Sequence, residues 1–251
     1  MMNNKRIARE LNRVAKSLIS SGEVANTEGE YKKFTGTIDW KGSRGRVTRA
    51  TFELDRQGVV WQDGIWEDGI WKDGIWNRGI WDNGTWVNGT WKDGIWFGGT
   101  WEHGDWKFGV WHNGTWKGGT WKDGVWEKGT WVTGVWESGN WWGGIWKGGT
   151  WEDGNWNGGT WMNGEFRGGT WKSGIWKGGT WMGGGIWKTG WWYDGTWKDG
   201  IWNGGIWVNG EFRSGTWKNG VWHNGIWGNG KWESGADKRG VKHLDSPDNW
   251  R

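Results

Sequence analysis

Residues 71–96 read WKDGIWNRGIWDNGTWVNGTWKDGIW, with a tryptophan at every fifth position and a glycine two residues before each one. The series begins at Trp61, slips by one residue within WMGGGIW (181–187) and ends at Trp232. Of its 35 aromatic positions, 33 are Trp and the other two are Phe166 and Phe212. Gly stands two residues before the aromatic in 34 cases, and Ile, Val or Thr stands directly before it in 28. Residues 59–235 are therefore a repeat of five-residue units.

A period of five excludes both a continuous helix and a long strand. Every fifth side chain advances by about 140° around an α-helix, so the tryptophans would cover its whole surface. On a straight strand, side chains five residues apart point to opposite faces. The pairs DG, NG, GG and SG before most Ile/Val/Thr–Trp pairs are typical of tight turns. The chain is thus predicted to turn once in every unit.

The repeat predicts an all-β solenoid with tryptophan inside. Gly and Trp of each extended piece would share the inner face, and the small glycine would leave room beside each indole. Equivalent tryptophans of successive coils would stack about 4.8 Å apart. We predict a core ladder whose representative members are Trp61, Trp66, Trp71, Trp126, Trp156, Phe166, Trp187, Phe212 and Trp232.

The unit resembles the pentapeptide repeat, a pattern of a small residue, any residue, a large apolar residue and two polar residues. Gly64-Ile65-Trp66-Glu67-Asp68 fits this pattern, as do the neighbouring units. The resemblance implies a right-handed quadrilateral β-helix with four units in each coil. It would give roughly nine coils over about 40 Å.

A second pattern favours a different arrangement. Between Thr120 and Thr180 the residue before the aromatic often alternates between Thr and Val or Ile, which is a ten-residue period. The string GTWKNG (215–220) is also similar to part of the MORN repeat, whose units are antiparallel hairpins. A MORN-like hairpin meander is therefore the alternative fold.

The flanking segments differ from the repeat. Residues 1–22 contain KRIARELNRVAKSLI (5–19), whose apolar side chains share one helical face, and we predict a short amphipathic helix there. This helix could cap the solenoid or contact a membrane surface. The segment is also similar to leader segments of tailed-phage virion proteins, and whether residues 1–22 are cleaved off stays open. Residues 23–58 are predicted to form a β-hairpin cap over the first coil, and residues 236–251 a C-terminal tail.

Residues for catalysis or metal binding do not form a recognisable motif. The chain has no Cys, and its four histidines, His103, His112, His223 and His243, lack metal-ligand spacing. Nucleophile and phosphate-loop motifs are missing too. We therefore predict a non-enzyme with no catalytic residue, metal, cofactor or small-molecule substrate. The sequence also shows no secretory signal, and the compartment, cytoplasmic or virion-associated, stays open.

Charge argues against two kinds of partner. Residues 61–235 hold 16 Lys and Arg against 18 Asp and Glu, so the formal charge of +4 comes from the flanks. Such balance disfavours a DNA-mimicking surface and nucleic-acid binding. The sequence favours a structural or protein-interaction solenoid that binds a protein partner or itself, with a virion or fibre component among the candidates. A glycan-binding module with exposed tryptophans is the alternative, and an ice-binding threonine array ranks lower because Asn and Glu interrupt the threonines.

One nearly repeated segment suggests a partner surface. NGEFRGGTWKSGIW (163–176) recurs as NGEFRSGTWKNGVW (209–222), 46 residues later. Recent duplication is one explanation of the recurrence. A functional explanation is that Phe narrows the core and presents Glu165, Arg167, Glu211 and Arg213 to a partner.

Overall fold

The computed structural model describes residues 34–40, 43–54 and 59–250. These residues form β-strands, turns and one short 3-10 helix, Pro247–Asn249. The prediction of an all-β, repetitive solenoid is confirmed. The predicted helix within residues 1–22 lies outside the described residues. The chain divides into two compact units, Met1–Thr115 and Trp116–Arg251, and each is described separately below.

Three longer strands open the described chain: β1 (Phe34–Trp40), β2 (Ser43–Leu54) and β3 (Val59–Trp71). A series of very short strands follows. Strands β4 to β35 are Gly74–Trp76, Ile80–Trp81, Thr85–Trp86, Thr90–Trp91, Ile95–Trp96, Thr100–Trp101, Asp105–Trp106, Val110–Trp111, Thr115–Trp116, Thr120–Trp121, Val125–Trp126, Thr130–Trp131, Val135–Trp136, Asn140–Trp141, Ile145–Trp146, Thr150–Trp151, Asn155–Trp156, Thr160–Trp161, Glu165–Phe166, Thr170–Trp171, Ile175–Trp176, Thr180–Trp181, Ile186–Trp187, Trp191–Trp192, Thr196–Trp197, Ile201–Trp202, Ile206–Trp207, Glu211–Phe212, Thr216–Trp217, Val221–Trp222, Ile226–Trp227 and Lys231–Trp232. Strands β36 (Gly235–Asp237) and β37 (Lys242–His243) end the series.

Each five-residue unit is a two-residue strand and a three-residue corner. The strand holds the aromatic residue, which points inward, and the residue before it, which points outward. Two backbone bonds join each strand to the previous coil, as in Ile175 N–H to Gly159 O (2.9 Å) and Lys177 N–H to Trp161 O (2.8 Å). The residue after the aromatic also faces outward, because side chains alternate along an extended chain.

Each coil has three sides, so the prediction of four units per coil is wrong. Strands pair in parallel with partners fifteen residues away, such as Thr160 with Ile175 and Trp161 with Trp176. In the second unit, 24 aromatic positions (Trp116 to Trp232), three to a coil, make eight coils. The MORN-like meander is also wrong, because its hairpins would require antiparallel pairing throughout the repeat.

Indoles fill the interior of both compact units, and they make two kinds of contact with one another. Rings fifteen residues apart stack nearly parallel, with centroids 4.7 Å apart for Trp76 and Trp91 in the first unit. Rings five residues apart meet edge to face, as Trp76 and Trp81 do at 6.0 Å and 70°. Both geometries are favourable for aromatic pairs. Every aromatic of the series from Trp61 to Trp217 has no exposed surface.

The size of the indole explains the three-sided coil. The resemblance to pentapeptide repeats implied four small residues and four large apolar residues in each coil. Here the corner glycines contribute no side chain, and three indoles in mutual edge contact occupy the whole cross-section. A fourth side would enlarge the interior, and the rings would lose their edge-to-face contacts.

Three indole N–H groups of the second unit donate to a carbonyl at the corner of the next coil. Trp141 donates to the carbonyl of Gly158 (3.1 Å), and Trp187 donates to that of Gly204 (3.1 Å). Trp176 does the same with the carbonyl of Asp194 (3.1 Å). A leucine or phenylalanine could not make this bond. The bond is not a general feature of the repeat, because the buried indole N–H groups of Trp131, Trp146 and Trp202 have no hydrogen-bond partner.

The glycine before each strand is fixed by the corner backbone. Gly94 has φ of 134°, which L side chains rarely adopt. A Cβ there would lie 2.5 Å from the carbonyl oxygen of Gly79 in the previous coil, and 3.1 Å from a ring carbon of Trp91. The predicted role, room beside the indole, is therefore secondary to close backbone stacking at the corners.

The extra residue in WMGGGIW is accommodated in a corner. Gly183 and Gly184 both have positive φ, and the parallel register resumes with Ile186 opposite Ile201. Coils that contain this corner are sixteen residues long, as the pairing of Trp171 with Trp187 shows.

A hairpin covers the first coil. Strands β1 and β2 pair antiparallel, and β2 runs antiparallel along β3, which forms the first coil. Phe52 stacks on Trp61 with ring centroids 6.2 Å apart. Glu67 accepts from the Thr48 hydroxyl and pairs with Arg46 (2.6 Å). The Thr48 hydrogen bond, helped by Arg46, lowers the pKa of Glu67 against the opposing effect of burial.

The residues after the last repeat fold against the last coil. Asp237 takes the position where an aromatic would follow Trp222, and it is buried. β36 turns back to pair antiparallel with β37. Trp250 stacks on His243 (4.1 Å) and meets the edge of Trp232 (5.3 Å). The tail thus covers the exposed ring of the last repeat.

Candidate interaction surface

The second unit presents three outward faces with different side chains. We number each face by the aromatic ladder beneath it. Ladder 1 is Trp121, Trp136, Trp151, Phe166, Trp181, Trp197, Phe212 and Trp227. Ladder 2 is Trp126, Trp141, Trp156, Trp171, Trp187, Trp202, Trp217 and Trp232. Ladder 3 is Trp116, Trp131, Trp146, Trp161, Trp176, Trp192, Trp207 and Trp222.

The four residues of the predicted partner surface lie on face 1. Glu165 and Glu211 occupy the same outward column, with Thr180 and Thr196 between them. Arg167 binds Glu165 (3.0 Å) and Glu152 of the previous coil (3.0 Å). Arg213 binds Glu211 (2.9 Å). The structure thus brings the four onto one face, where each arginine is paired within the face.

These ion pairs are exposed and carry little stability. All the side chains involved are about half exposed, and surface pairs contribute at most about 1 kcal/mol. The hydrogen bond that Arg167 donates to Glu165 and the negative charge of Glu152 raise the pKa of Arg167. The positive charges of Arg167 and Arg213 on face 1 are therefore offset by the glutamates that they contact.

Phe166 and Phe212 both belong to ladder 1. The ring of Phe166 lies 4.2 Å from Trp181 and 5.6 Å from Trp151. Backbone bonds around it have ordinary lengths, such as 2.8 Å from Arg167 N–H to Trp151 O. The smaller ring is absorbed without a break in the strand register.

Face 3 carries a run of exposed apolar side chains that the sequence analysis did not single out. Its outward column pairs in the order Ile145, Thr160, Ile175, Trp191 and Ile206. The column beside it, one position past ladder 3, holds Lys147, Met162, Lys177, Tyr193 and Val208. Five of these large apolar side chains are 36–43% exposed: Ile145, Met162, Ile175, Trp191 and Tyr193.

Two aromatic residues on this face lie side by side. Trp191 and Tyr193 stand on either side of the buried Trp192, with ring centroids 6.1 Å apart and planes inclined by 19°. Trp142, at the corner between faces 2 and 3, is 58% exposed. Trp142 and Trp191 both fall outside the five-residue series, and this irregularity was the available sequence signal for an outward tryptophan.

Lysines lie among the apolar residues and along one side of them. Lys147 and Lys177 share a column with Met162 and Tyr193, and Lys172 and Lys188 follow ladder 2, at the corner between faces 2 and 3. All four are exposed. Among the described residues, none of the four lies within ion-pair distance of a carboxylate. The nearest acid in sequence to Tyr193 is Asp194, whose carboxylate accepts from Gly195 N–H (2.8 Å) at the next corner.

The histidines lie apart from one another. His112 stacks on Phe97 (4.7 Å) in the first unit, whereas His243 belongs to the C-terminal cover. Within residues 34–40, 43–54 and 59–250, no three His, Asp or Glu side chains group as metal ligands. The same part of the chain contains no helix that is long and apolar enough to cross a membrane.

Comparison with known proteins gives this chain no family. No family model, curated protein or solved structure matches it significantly.

Proposed function

We propose that this chain is a non-catalytic scaffold, a structural or interaction solenoid that contacts other molecules through its outward faces. The observation that carries the proposal is that each five-residue unit has one inward aromatic residue and outward residues that vary. The aromatic residues of the series form the interior, so that the outward columns are free to differ from face to face. Solenoids commonly use such long, regular surfaces for binding.

The proposed partners are proteins, including other copies of this chain. Face 1, with its paired Glu165, Arg167, Glu211 and Arg213, is one candidate surface, and face 3 is another. The five-residue pattern supports a relationship to pentapeptide-repeat proteins, although the three-sided core of indoles departs from that family. Assembly into a fibre or a virion is consistent with a rigid repeat.

A glycan-binding module is the second candidate. Trp191 and Tyr193 lie close enough together to form an aromatic stacking platform for a sugar ring. It ranks below the scaffold because almost all tryptophans of the repeat are buried and cannot stack on a ligand. A threonine array ranks lower still, since Glu165 and Glu211 interrupt the column of Thr150, Thr180 and Thr196.

The scaffold proposal is tested by the size of the native assembly. A tagged chain is cross-linked in its native source, purified and sized, and the cross-linked neighbours are identified by mass spectrometry. We expect a species much larger than one chain, with cross-links concentrated on one face. Migration as a free monomer, with no reproducible cross-linked neighbour, would contradict the proposal.

A further inference from the structure

We propose that face 3 of the second unit docks on the surface of an anionic lipid bilayer. The inference rests on the proposed function, because it names the partner of one outward face of the scaffold. The docking surface consists of Ile145, Met162, Ile175, Trp191 and Tyr193, with Lys147 and Lys177 among them and Lys172 and Lys188 at one side.

The apolar residues suit a membrane interface. Three of the five are aliphatic and project from a flat sheet face, where they can enter the boundary between headgroups and acyl chains. Trp191 and Tyr193 are the two residue types most enriched at that depth, because their rings are amphipathic. The column from Ile145 to Ile206 extends over four strand steps, about 19 Å. Burying these side chains in lipid removes apolar surface from water.

The charges select an anionic surface. Four exposed lysines with no carboxylate partner among the described residues lie within the apolar run or beside it. Each lysine held near anionic headgroups strengthens binding, and long lysine side chains can reach the headgroups while the apolar residues insert. Face 1 contrasts with this, because its arginines are already paired with glutamates.

The same residues fit a nucleic acid less well. Single-stranded nucleic acids bind to series of stacking aromatics in a basic groove. Face 3 offers one aromatic pair, and aliphatic side chains occupy most of the remaining apolar positions on this flat surface. An acidic peptide would need polar groups to meet its backbone, and Thr160 is the only polar uncharged side chain in the run from Ile145 to Ile206.

The test is flotation of the purified full-length chain with vesicles in a density gradient. Vesicles contain phosphatidylcholine alone or phosphatidylcholine with about 30% phosphatidylserine, at low and at physiological salt. We expect flotation with the anionic vesicles alone, and weaker flotation at higher salt because the lysine contribution is screened.

Two variants of equal charge separate face 3 from the rest of the chain. The first changes Lys147, Lys172, Lys177 and Lys188 to Gln. The matched control changes Lys122, Arg167, Lys198 and Arg213, which follow ladder 1, to Gln. We expect the partition coefficient to fall at least tenfold for the first variant and less than threefold for the control.

A third variant tests the apolar contribution. It changes Ile175, Trp191 and Tyr193 to Thr. Thr160 already occupies the outward position equivalent to Ile175 and Trp191, and Tyr193 is an exposed residue outside the strand, so the coil should still fold. We expect at least a tenfold loss of partitioning, with an unchanged far-ultraviolet circular dichroism spectrum.

Several outcomes would overturn the membrane proposal. These are no flotation of the wild-type chain, equal losses in the two glutamine variants, or undiminished binding by the threonine variant. Equal losses would assign binding to general charge or to the basic segment within residues 1–22. The scaffold proposal would survive each of these results, because it depends on native assembly size rather than on lipid binding.

Discussion

Two kinds of glycine occur side by side in the corners, and only one is required by the backbone. Gly149 has φ of 104°, and a Cβ there would lie 2.4 Å from the carbonyl oxygen of Gly134. Its neighbour Gly148 has no such conflict, because the nearest atom to its Cβ would be 3.7 Å away. The sequence shows both as Gly, but only the position of Gly149, two residues before the aromatic, is Gly in nearly every five-residue unit.

Alanine at these two positions should have opposite consequences. We expect Gly149→Ala to lower the free energy of unfolding by more than about 2 kcal/mol, through strain and the backbone clash. Gly148→Ala should change it by less than about 1 kcal/mol, with a gain from reduced unfolded-state entropy. Thermal and denaturant unfolding of both variants is the measurement. Equal tolerance would mean that the corners do not stack as described.

Adjacent tryptophans provide a second residue-scale prediction. Trp141 is fully buried in ladder 2, between Trp126 and Trp156, whereas Trp142 is 58% exposed. We expect Trp141→Ala to cost about 3–5 kcal/mol, because it removes a core ring and leaves a cavity. Trp142→Ala should cost less than about 1 kcal/mol. A similar loss for both in denaturant unfolding would contradict the inward direction of the repeat aromatics.

At the scale of elements, the sequence predicted the five-residue repeat but not the length of its strands. Alternation predicted that Trp and the residue before it would face opposite ways, as Thr160 and Trp161 do. Gly was expected to belong to the inner face of a three-residue strand. Its positive φ instead places it in the corner, a property of the backbone that no side-chain pattern records.

The C-terminal cover shows how the chain ends a ladder without an aromatic. Burial of the Asp237 carboxyl raises its pKa, but hydrogen bonds from the Arg239 side chain and from the backbone N–H groups of Val241 and Arg239 outweigh this effect. The pKa falls from 3.8 to about 2. The carboxylate thus holds the turn between β36 and β37.

We therefore predict a pH-dependent effect of Asp237→Asn. A depressed folded-state pKa stabilises the fold above the unfolded value, and the contribution disappears as pH falls through about 2. The difference in thermal stability between wild type and variant should be widest above pH 4 and shrink towards pH 2. Melting curves from pH 2 to 7 measure it, with Asp245→Asn as a control. A constant difference would show that the charge of Asp237 is not what matters.

At the scale of the whole molecule, the number of sides was the feature that the sequence analysis missed. A five-residue period is compatible with three or four units per coil, so the main repeat carries no information about it. The ten-residue alternation of Thr misled, because Thr120 lies on face 1 and Thr130 on face 3. The two Glu-Phe-Arg segments, 165–167 and 211–213, were the better indication of the coil length. Their spacing of 46 residues is three coils of fifteen plus the extra residue, which keeps both Phe166 and Phe212 in one ladder.

The candidate surface was predictable only in part. Glu165 and Glu211 were identified from their repetition, and the fifteen-residue coil explains why they share a face. The apolar run of face 3 could not be read from the sequence, because Ile145, Ile175 and Ile206 become neighbours only when the coil length is known.

Disulfide cross-linking tests the three-sided coil most directly, since the chain has no native Cys. One variant carries Thr160→Cys and Ile175→Cys, fifteen residues apart and paired in the sheet, and a second carries Thr160→Cys and Thr180→Cys, twenty residues apart. After mild oxidation, peptide mapping by mass spectrometry should find an intramolecular disulfide in the first variant and free thiols in the second, because only the first pair lies within bonding reach. A disulfide in the twenty-residue pair, with none in the fifteen-residue pair, would contradict the account and indicate a four-sided coil.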